Sequence, residues 1–268
     1  GSWGSAMAIM LAENGHGITL WSYLEEECEN LKKYGENKPF LPGVMFPEGV
    51  EFTCDLSRCC EDADIIIMAT PSHAVRATAR NMAEHVKDGQ IIVNISKGIE
   101  EGTYYTLSKV IREEIPGCVI AVMSGPSHAE EVSRRIPTSN VVACDDEKTA
   151  EYVQEAFMNP NFRIYTNPDV LGVELGGSLK NVIALCAGII DGMGLGDNTK
   201  AALMTRGLVE MSRLGVAMGA KEETFNGLSG VGDLIVTCTS MHSRNRRAGI
   251  LIGKGKTPEE AQSEVKMV

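Results

Sequence analysis

The run Ile65-Ile66-Ile67-Met68-Ala69, apolar without alternation and followed at once by Thr70-Pro71-Ser72, narrows the fold more than any other segment. A strand with one wet face alternates polar and apolar side chains. An unbroken β-branched run bounded by turn residues instead reads as a strand buried on both faces, in the middle of a parallel sheet covered by helices. Thr70-Pro71-Ser72 then reads as a capped helix start leading into His73–Glu84, and Gly125-Pro126-Ser127 repeats the device before His128–Arg134. From residue 1 to about 166, short β-branched runs alternate with longer amphipathic stretches. Strands are predicted at Gly17–Trp21, Val50–Thr53, Asp64–Thr70, Gln90–Ser96, Cys118–Met123, Asn140–Cys144 and Arg163–Tyr165. A long loop, Gly35–Gly49, holds Pro39, Pro42 and Pro47.

After Asn167-Pro168 the texture changes. Ala, Leu, Gly and Met recur at three- and four-residue spacing from Val170 to Gly219, which predicts helices, with Leu203, Gly207, Leu208, Met211 and Leu214 as one apolar stripe. Further helices are predicted at Ser243–Gly253 and Thr257–Lys266, the second opening on a Thr cap followed by first-turn acids. The fold class is therefore α/β: a Rossmann-type, mostly parallel sheet domain over residues 1–167, followed by an all-helical domain over 168–268.

Composition excludes several classes. Lys and Arg total 25 against 36 Asp and Glu, a net charge of −11, which argues against nucleic acid or an anionic membrane as the partner. Eight scattered cysteines without a CxxC pair suit a reducing compartment, so a cytoplasmic protein is expected. The histidines show no metal-ligand spacing, and no metal is expected. No uninterrupted apolar stretch approaches the roughly 18 residues of a membrane span, and no signal-peptide pattern opens the chain.

Four constellations carry chemistry. Gly1-Ser2-Trp3-Gly4, followed by a helical run Ser5–Asn14, a Gly15 stop and a strand, looks like the second half of a G-x-G-x-x-G dinucleotide turn. Gly1 would admit the pyrophosphate, Gly4 would let the helix lie on the sheet, and the helix N-terminus would donate N–H groups to phosphate. At the end of the second strand stands Trp21-Ser22-Tyr23, neither an acid for a ribose 2′-hydroxyl nor an arginine for a 2′-phosphate, so NAD and NADP both stay open. Lys97 follows the strand Gln90–Ile95 at the carboxyl edge where α/β sheets bind ligands; in isolation such a lysine is usually surface decoration. Lys180, in Gly176-Gly177-Ser178-Leu179-Lys180-Asn181, sits in an apolar helix, where its ammonium must be paired or lose its proton more readily, as a general acid or base would. Gly227-Leu228-Ser229-Gly230-Val231-Gly232-Asp233 is a glycine-rich loop ending in one acid. Ser243-Arg244-Asn245-Arg246-Arg247 is the one dense basic cluster; Arg244 is assigned to ligand, and Arg246 and Arg247 are left open between ligand and solvent.

Taken in order, these segments, with Phe40-Leu41-Pro42-Gly43, Pro71-Ser72-His73-Ala74, Ser96-Lys97-Gly98, Ser124-Gly125-Pro126-Ser127-His128-Ala129, Asn167-Pro168-Asp169 and Thr237-Cys238-Thr239, resemble the NAD(P)-dependent glycerol-3-phosphate dehydrogenases of the bacterial type over the whole chain. The resemblance implies hydride transfer between nicotinamide and carbon 2 of sn-glycerol 3-phosphate, in supply of glycerophospholipid precursors. It makes Lys180 the proton acceptor or donor, with Lys97 and Asp233 as its catalytic companions. Gly1, Ser2, Trp3, Gly4, Tyr23, Lys97, Ala129 and Arg244 would contact NAD or NADP. Lys97, Gly125, Ser127, Lys180, Asp233, Ser243, Arg244 and Asn245 would contact a small phosphorylated substrate. It also implies a homodimer. Tyr23 departs from a position that is often basic in the family. The family pattern begins with a full strand and runs on past residue 268, so the chain is expected to be part of a longer two-domain enzyme. A sugar-acid dehydrogenase of the same plan would want a carboxylate site in place of the Arg244 cluster, and a nucleotide sensor would not need Lys180 and Asp233.

Overall fold

The computed structural model describes residues 1–265. The chain forms two compact units, Gly1–Met123 with Ser127–Pro168, and Ser124–Pro126 with the chain from Asp169 onward.

In the first unit, strands β1 (Thr19–Trp21) and β2 (Glu51–Thr53) pair in parallel, and β3 (Ile65–Met68), β4 (Ile91–Asn94), β5 (Val119–Ser124), β6 (Thr138–Cys144) and β7 (Phe162–Asn167) form a five-stranded sheet in chain order. The β3–β4, β4–β5 and β6–β7 pairs are parallel, with Ile65 opposite Ile91, Ile91 opposite Val119 and Thr138 opposite Phe162. All seven predicted strands are present. The Ile65 run is not central, however. β3 is the end strand of its sheet, with Ile66 and Met68 buried and Ile65 and Ile67 only partly so. Its apolar composition reflects packing on helix α1 (Ser2–Glu13) and the core behind it rather than neighbours on both edges.

Helix α1 is buried continuously from Ser5 to Leu11. Met7, Met10 and Leu11 join the main core with Val93, Met123, Val142, Phe157 and Phe162, while Ala6 and Ile9 join a second cluster with Leu41 and Ala129. A helix apolar on all sides is a core helix, which places its N-terminus rigidly. The 35–49 loop is equally anchored: Asn37 donates to Ser5 Oγ at 2.8 Å, Phe46 N–H to Gly35 O at 2.8 Å, and Leu41 is buried. Helices α2 (Glu25–Tyr34), α3 (Leu56–Cys60), α4 (Val75–Met82), α5 (Leu107–Glu114), α6 (Ala129–Val132) and α7 (Glu147–Phe157) connect the strands. The predicted helix His128–Arg134 is thus a single turn; Arg135 follows in the left-handed region at φ 58°.

The second unit is helical: α8 (Val170–Met193), α9 (Gly196–Met218), α10 (Glu222–Phe225), a π turn (Leu228–Gly232), α11 (Asp233–Thr239), α12 (Arg244–Gly253) and α13 (Pro258–Glu264). Gly194, left-handed at φ 70°, separates α8 from α9. The predicted stripe on α9 is rotated: Gly207, Met211 and Gly215 are buried, and Leu214 is 46% exposed. Spacing of four selects that line, and Phe225 from α10 fills the hollow over Gly215. The Thr257 capping box is present, and Lys266 of the predicted Thr257–Lys266 helix lies outside the described residues. Although no apolar run in α8 is uninterrupted, broken as it is by Glu174, Lys180 and Asp191, the helix is long and apolar enough to cross a membrane by length and composition. It is a core helix by its surroundings: it packs against α9, α11 and α12 and buries Glu174 and Lys180.

Helices α8 and α12 touch backbone to backbone. A Cβ on Gly188 would lie 2.0 Å from Arg246 O, and one on Gly249 would lie 2.1 Å from Leu185 O. Gly192 and Gly253 repeat the contact one turn further on. Only glycine fits such a crossing.

Candidate active site

In the first unit the site elements lie where its parallel strands end and its helices begin. Helix α1 starts at Ser2, three residues earlier than predicted, with Gly1 as an N-cap that supplies no side-chain bond. Its first-turn N–H groups are therefore presented at the helix start for an external acceptor, and the helix dipole adds partial positive charge there. A Cβ on Gly4 would stand 3.1 Å from Ala69 Cβ, so glycine sets how closely α1 lies beside the end of β3. Trp3 is partly buried between the two apolar clusters, and Ala129 is packed in the second. The start of α1, with Gly1 and Gly4, fits a dinucleotide pyrophosphate. Tyr23, just past β1, is 79% exposed and stands edge-to-face with Trp21 at 6.3 Å; Ser22 beside it donates to Glu27. Lys97 follows β4 in a partly buried segment, and Ser127 Oγ accepts a long bond, 3.4 Å, from Asn140.

In the second unit the structure brings Lys180 and Asp233 together. Gly176 brings α8 against the π turn, where its Cβ would lie 2.5 Å from Ser229 O. One turn along α8, Lys180 is 5% exposed and donates to the carboxylate of Asp233, itself 1% exposed. Lys180 Nζ also donates to Thr237 Oγ1 at 2.7 Å, and Thr237 donates to Asp233 O at 2.6 Å. The ion pair offsets the desolvation of a buried ammonium, which unpaired would cost several kcal/mol. The glycine-rich stretch read as a loop is thus a π turn running into a helix, and Asp233 is the first residue of that helix. Thr237, given no role from the sequence, belongs to this cluster; it is four residues after Asp233 and shares its helix face. Burial pushes the neighbouring Cys238 thiol up to about 11, although Lys180 and Arg246 act the other way, so it is a neutral thiol near pH 7.

The basic cluster divides by role. Ser243 is buried and its Oγ caps α12, accepting from Arg246 N at 3.2 Å. Arg244 is exposed at the helix start and Asn245 is partly buried. Arg246, which the sequence left open, is structural: its Nε donates to Asp191 Oδ2 at 2.9 Å, its Nη2 forms an ion pair with the same oxygen at 2.7 Å, and Lys200 donates to Oδ1 of that carboxylate at 2.9 Å. Burial works against the Asp191 charge, yet Lys200 and Arg246 hold its carboxyl below the usual range. Arg247 is exposed. Gly125, at φ 154°, follows the end of β5, and Pro126 Cδ would meet a Cβ on Gly232 at 3.7 Å.

A Rossmann-type unit with a phosphate-ready helix start, followed by a helical unit that buries a Lys–Asp pair and presents Arg at another helix start, defines a dinucleotide-dependent dehydrogenase. The comparisons with known proteins make this specific. Residues 1–150 match the NAD-dependent glycerol-3-phosphate dehydrogenase N-terminus and residues 169–268 the corresponding C-terminus. A glycerol-3-phosphate dehydrogenase [NAD(P)+] of Agathobacter rectalis is 58% identical over 268 residues, covering 100% of this chain and 80% of the relative. That of Fusobacterium nucleatum is 54% identical over 270 residues, covering 100% and 81%. The crystal structure of glycerol-3-phosphate dehydrogenase from Coxiella burnetii superposes with a TM-score of 0.96 at 39% identity, covering 100% of this chain and 82% of that one. The chain belongs to the NAD-dependent glycerol-3-phosphate dehydrogenase family.

Proposed function

We propose that the protein is an NAD(P)-dependent sn-glycerol-3-phosphate dehydrogenase, interconverting dihydroxyacetone phosphate and sn-glycerol 3-phosphate and supplying the latter for glycerophospholipid synthesis. The observation that carries the mechanism is the buried Lys180–Asp233–Thr237 cluster. The nicotinamide, when bound, supplies the hydride to carbon 2 in the reducing direction and accepts it in the other. Lys180 delivers a proton from Nζ to the C2 oxygen as that oxygen gains charge, and takes it back in oxidation. Asp233 compensates the ammonium in a water-poor site and orients it, while Thr237 fixes its direction. Arg244, Asn245 and Ser243 are read as the phosphate cradle, Ser243 through the donor that its hydroxyl retains while capping α12. Lys97 contacts both substrate and cofactor, and Gly125, Ser127 and Ala129 line the reacting end. Gly1, Ser2, Trp3, Gly4 and Tyr23 contact the dinucleotide, with Arg244 reaching it as well.

In this reading residues 1–167 are the dinucleotide-binding domain and the residues from 168 onward the substrate domain. A cytoplasmic location is supported by eight free cysteines. A homodimer is supported by the exposed apolar side chains of the helical unit, among them Val182, Met193, Leu195 and Val216. The direct test is oxidation of NADH and of NADPH with dihydroxyacetone phosphate. Turnover with at least one cofactor is expected; turnover with neither would remove the assignment.

A further inference from the structure

Helix α5 ends in Glu113 and Glu114, two acids where the helix dipole is already negative. Their compensation comes from α4. Arg76 Nη1 donates to Glu114 at 2.8 Å and Nη2 to Glu113 at 2.9 Å, and Arg80 adds two bonds to Glu114 at 3.0 Å. The remaining grip of Arg76 is on the chain that carries Lys97: Nε and Nη2 hold the two oxygens of Glu100 at 2.6 and 2.7 Å, a bidentate pair. The Glu100 and Arg76 side chains are only 16% and 25% exposed, so this pair is less screened than an ordinary surface ion pair.

The backbone shows what this pair controls. Before Lys97, Ile95 N–H donates to Met68 O at 2.9 Å and Ser96 Oγ to Thr70 O at 2.6 Å, tying the segment to the end of β3. After Lys97, Gly98 is left-handed at φ 142° and passes so close to Ser72 that a Cβ would lie 2.7 Å from Ser72 Cβ. Ile99 then bridges Thr106, Glu100 N–H donates to Tyr105 O at 2.9 Å, and Thr103 donates to Glu100 Oε2 at 2.6 Å. Lys97 is therefore strung between two anchors: Ile95 N–H and the Ser96 hydroxyl before it, and after it Glu100, held by its N–H on Tyr105 O and by its carboxylate on Arg76.

We infer that Arg76 is a positioning residue for Lys97: locked against the end of α5, its guanidinium grips Glu100 and fixes the loop that presents the Lys97 ammonium. The inference rests on Lys97 contacting substrate and cofactor, as proposed above. A guanidinium suits this role because one planar group satisfies carboxylates from two segments at once, which an ammonium cannot do with the same geometry.

The test is a double-mutant cycle on the full chain, reading KM for dihydroxyacetone phosphate, kcat, the NADH dissociation constant by nucleotide fluorescence, and melting temperature. Arg76→Ala is expected to raise KM about 10- to 100-fold, the penalty for misplacing a binding group by about 1 Å. Arg76→Lys should recover only part of this loss. In a Lys97→Ala background the same Arg76→Ala change should add no more than about two-fold, because the group it positions is gone. Glu100→Gln, which keeps the size of the side chain and the other partners of Arg76, should raise KM in the same direction and serves if Arg76→Ala does not fold. The inference is overturned if Lys97→Ala is defective while Arg76→Ala or Glu100→Gln changes only the melting temperature, or if the Arg76→Ala penalty is undiminished without Lys97. A fully active Lys97→Ala would remove the role of Lys97 itself, and the inference with it.

Discussion

Replacing Gly188 by alanine should weaken the helical unit and, through α12, the phosphate site. In an ordinary helix interior this change is favourable by about 1 kcal/mol. Here the added Cβ would lie 2.0 Å from Arg246 O and 2.9 Å from Gly249 Cα, against an ordinary contact of at least 3.4 Å. Neither obstacle is the end of a flexible side chain, so backbone must move by more than 1 Å or so, and the overpacking cost of about 1–3 kcal/mol falls at its upper end. The net loss is about 2 kcal/mol, roughly 8–16 °C in melting temperature for a unit of about 100 residues. The movement displaces the start of α12, where Ser243, Arg244 and Asn245 stand. KM for dihydroxyacetone phosphate should therefore rise about 10-fold or more, while the NADH dissociation constant, to which this segment adds only Arg244, rises less. Calorimetry and steady-state kinetics on one preparation measure both. A Gly188→Ala protein that melts at or above the parent temperature, with unchanged KM, would refute the close crossing as the device that places the phosphate site.

Adjacent arginines should separate cleanly. Arg244→Ala should raise KM for the phosphorylated substrate with little change in melting temperature, whereas Arg246→Ala, which strips Asp191 Oδ2 of its partner, should lower the melting temperature. Equal melting losses in both would contradict the division of roles. Acid stability should report the Arg76 cluster: Arg76 holds the Glu100 carboxyl at about 2, against an ordinary 4.5, with help from Thr103. A depressed carboxylate contributes stability that is complete above its unfolded value and lost as pH falls from 4.5 toward 2. Glu100→Gln should flatten the fall in stability across that window, and an unchanged acid-unfolding profile would show that the pair contributes nothing there.

The strands were legible because β-branched runs between turn residues have few other homes, and Lys180 drew attention because an ammonium in an apolar helix needs a partner. What the sequence did not show was who meets whom. Asp233 and Thr237 share a helix face because Asp233 opens the helix that contains both, and Gly176 lets α8 come close to the turn before it. Arg246 looked like its neighbours until α8 placed Asp191 beside it. Leu214 fits an apolar stripe by composition, yet the buried line runs through Gly207, Met211 and Gly215, because small residues admit neighbouring helices more closely than leucine does. The Ile65 run signalled a sheet interior by hydrophobicity, while strand order, which depends on contacts distant in sequence, put it at the end of five. Local periodicity specifies elements; the site arises from approaches between segments tens of residues apart.

The central claim is that the Lys180 ammonium, held by Asp233 and Thr237, moves the proton at the C2 oxygen. Its most direct test is the turnover of Lys180→Ala with dihydroxyacetone phosphate, measured beside NADH binding and circular dichroism on the same sample. The account predicts a folded protein that binds NADH as the parent does and has lost about 100- to 10,000-fold in kcat, the usual contribution of a positioned acid or base. A folded Lys180→Ala with near-parental kcat would contradict it.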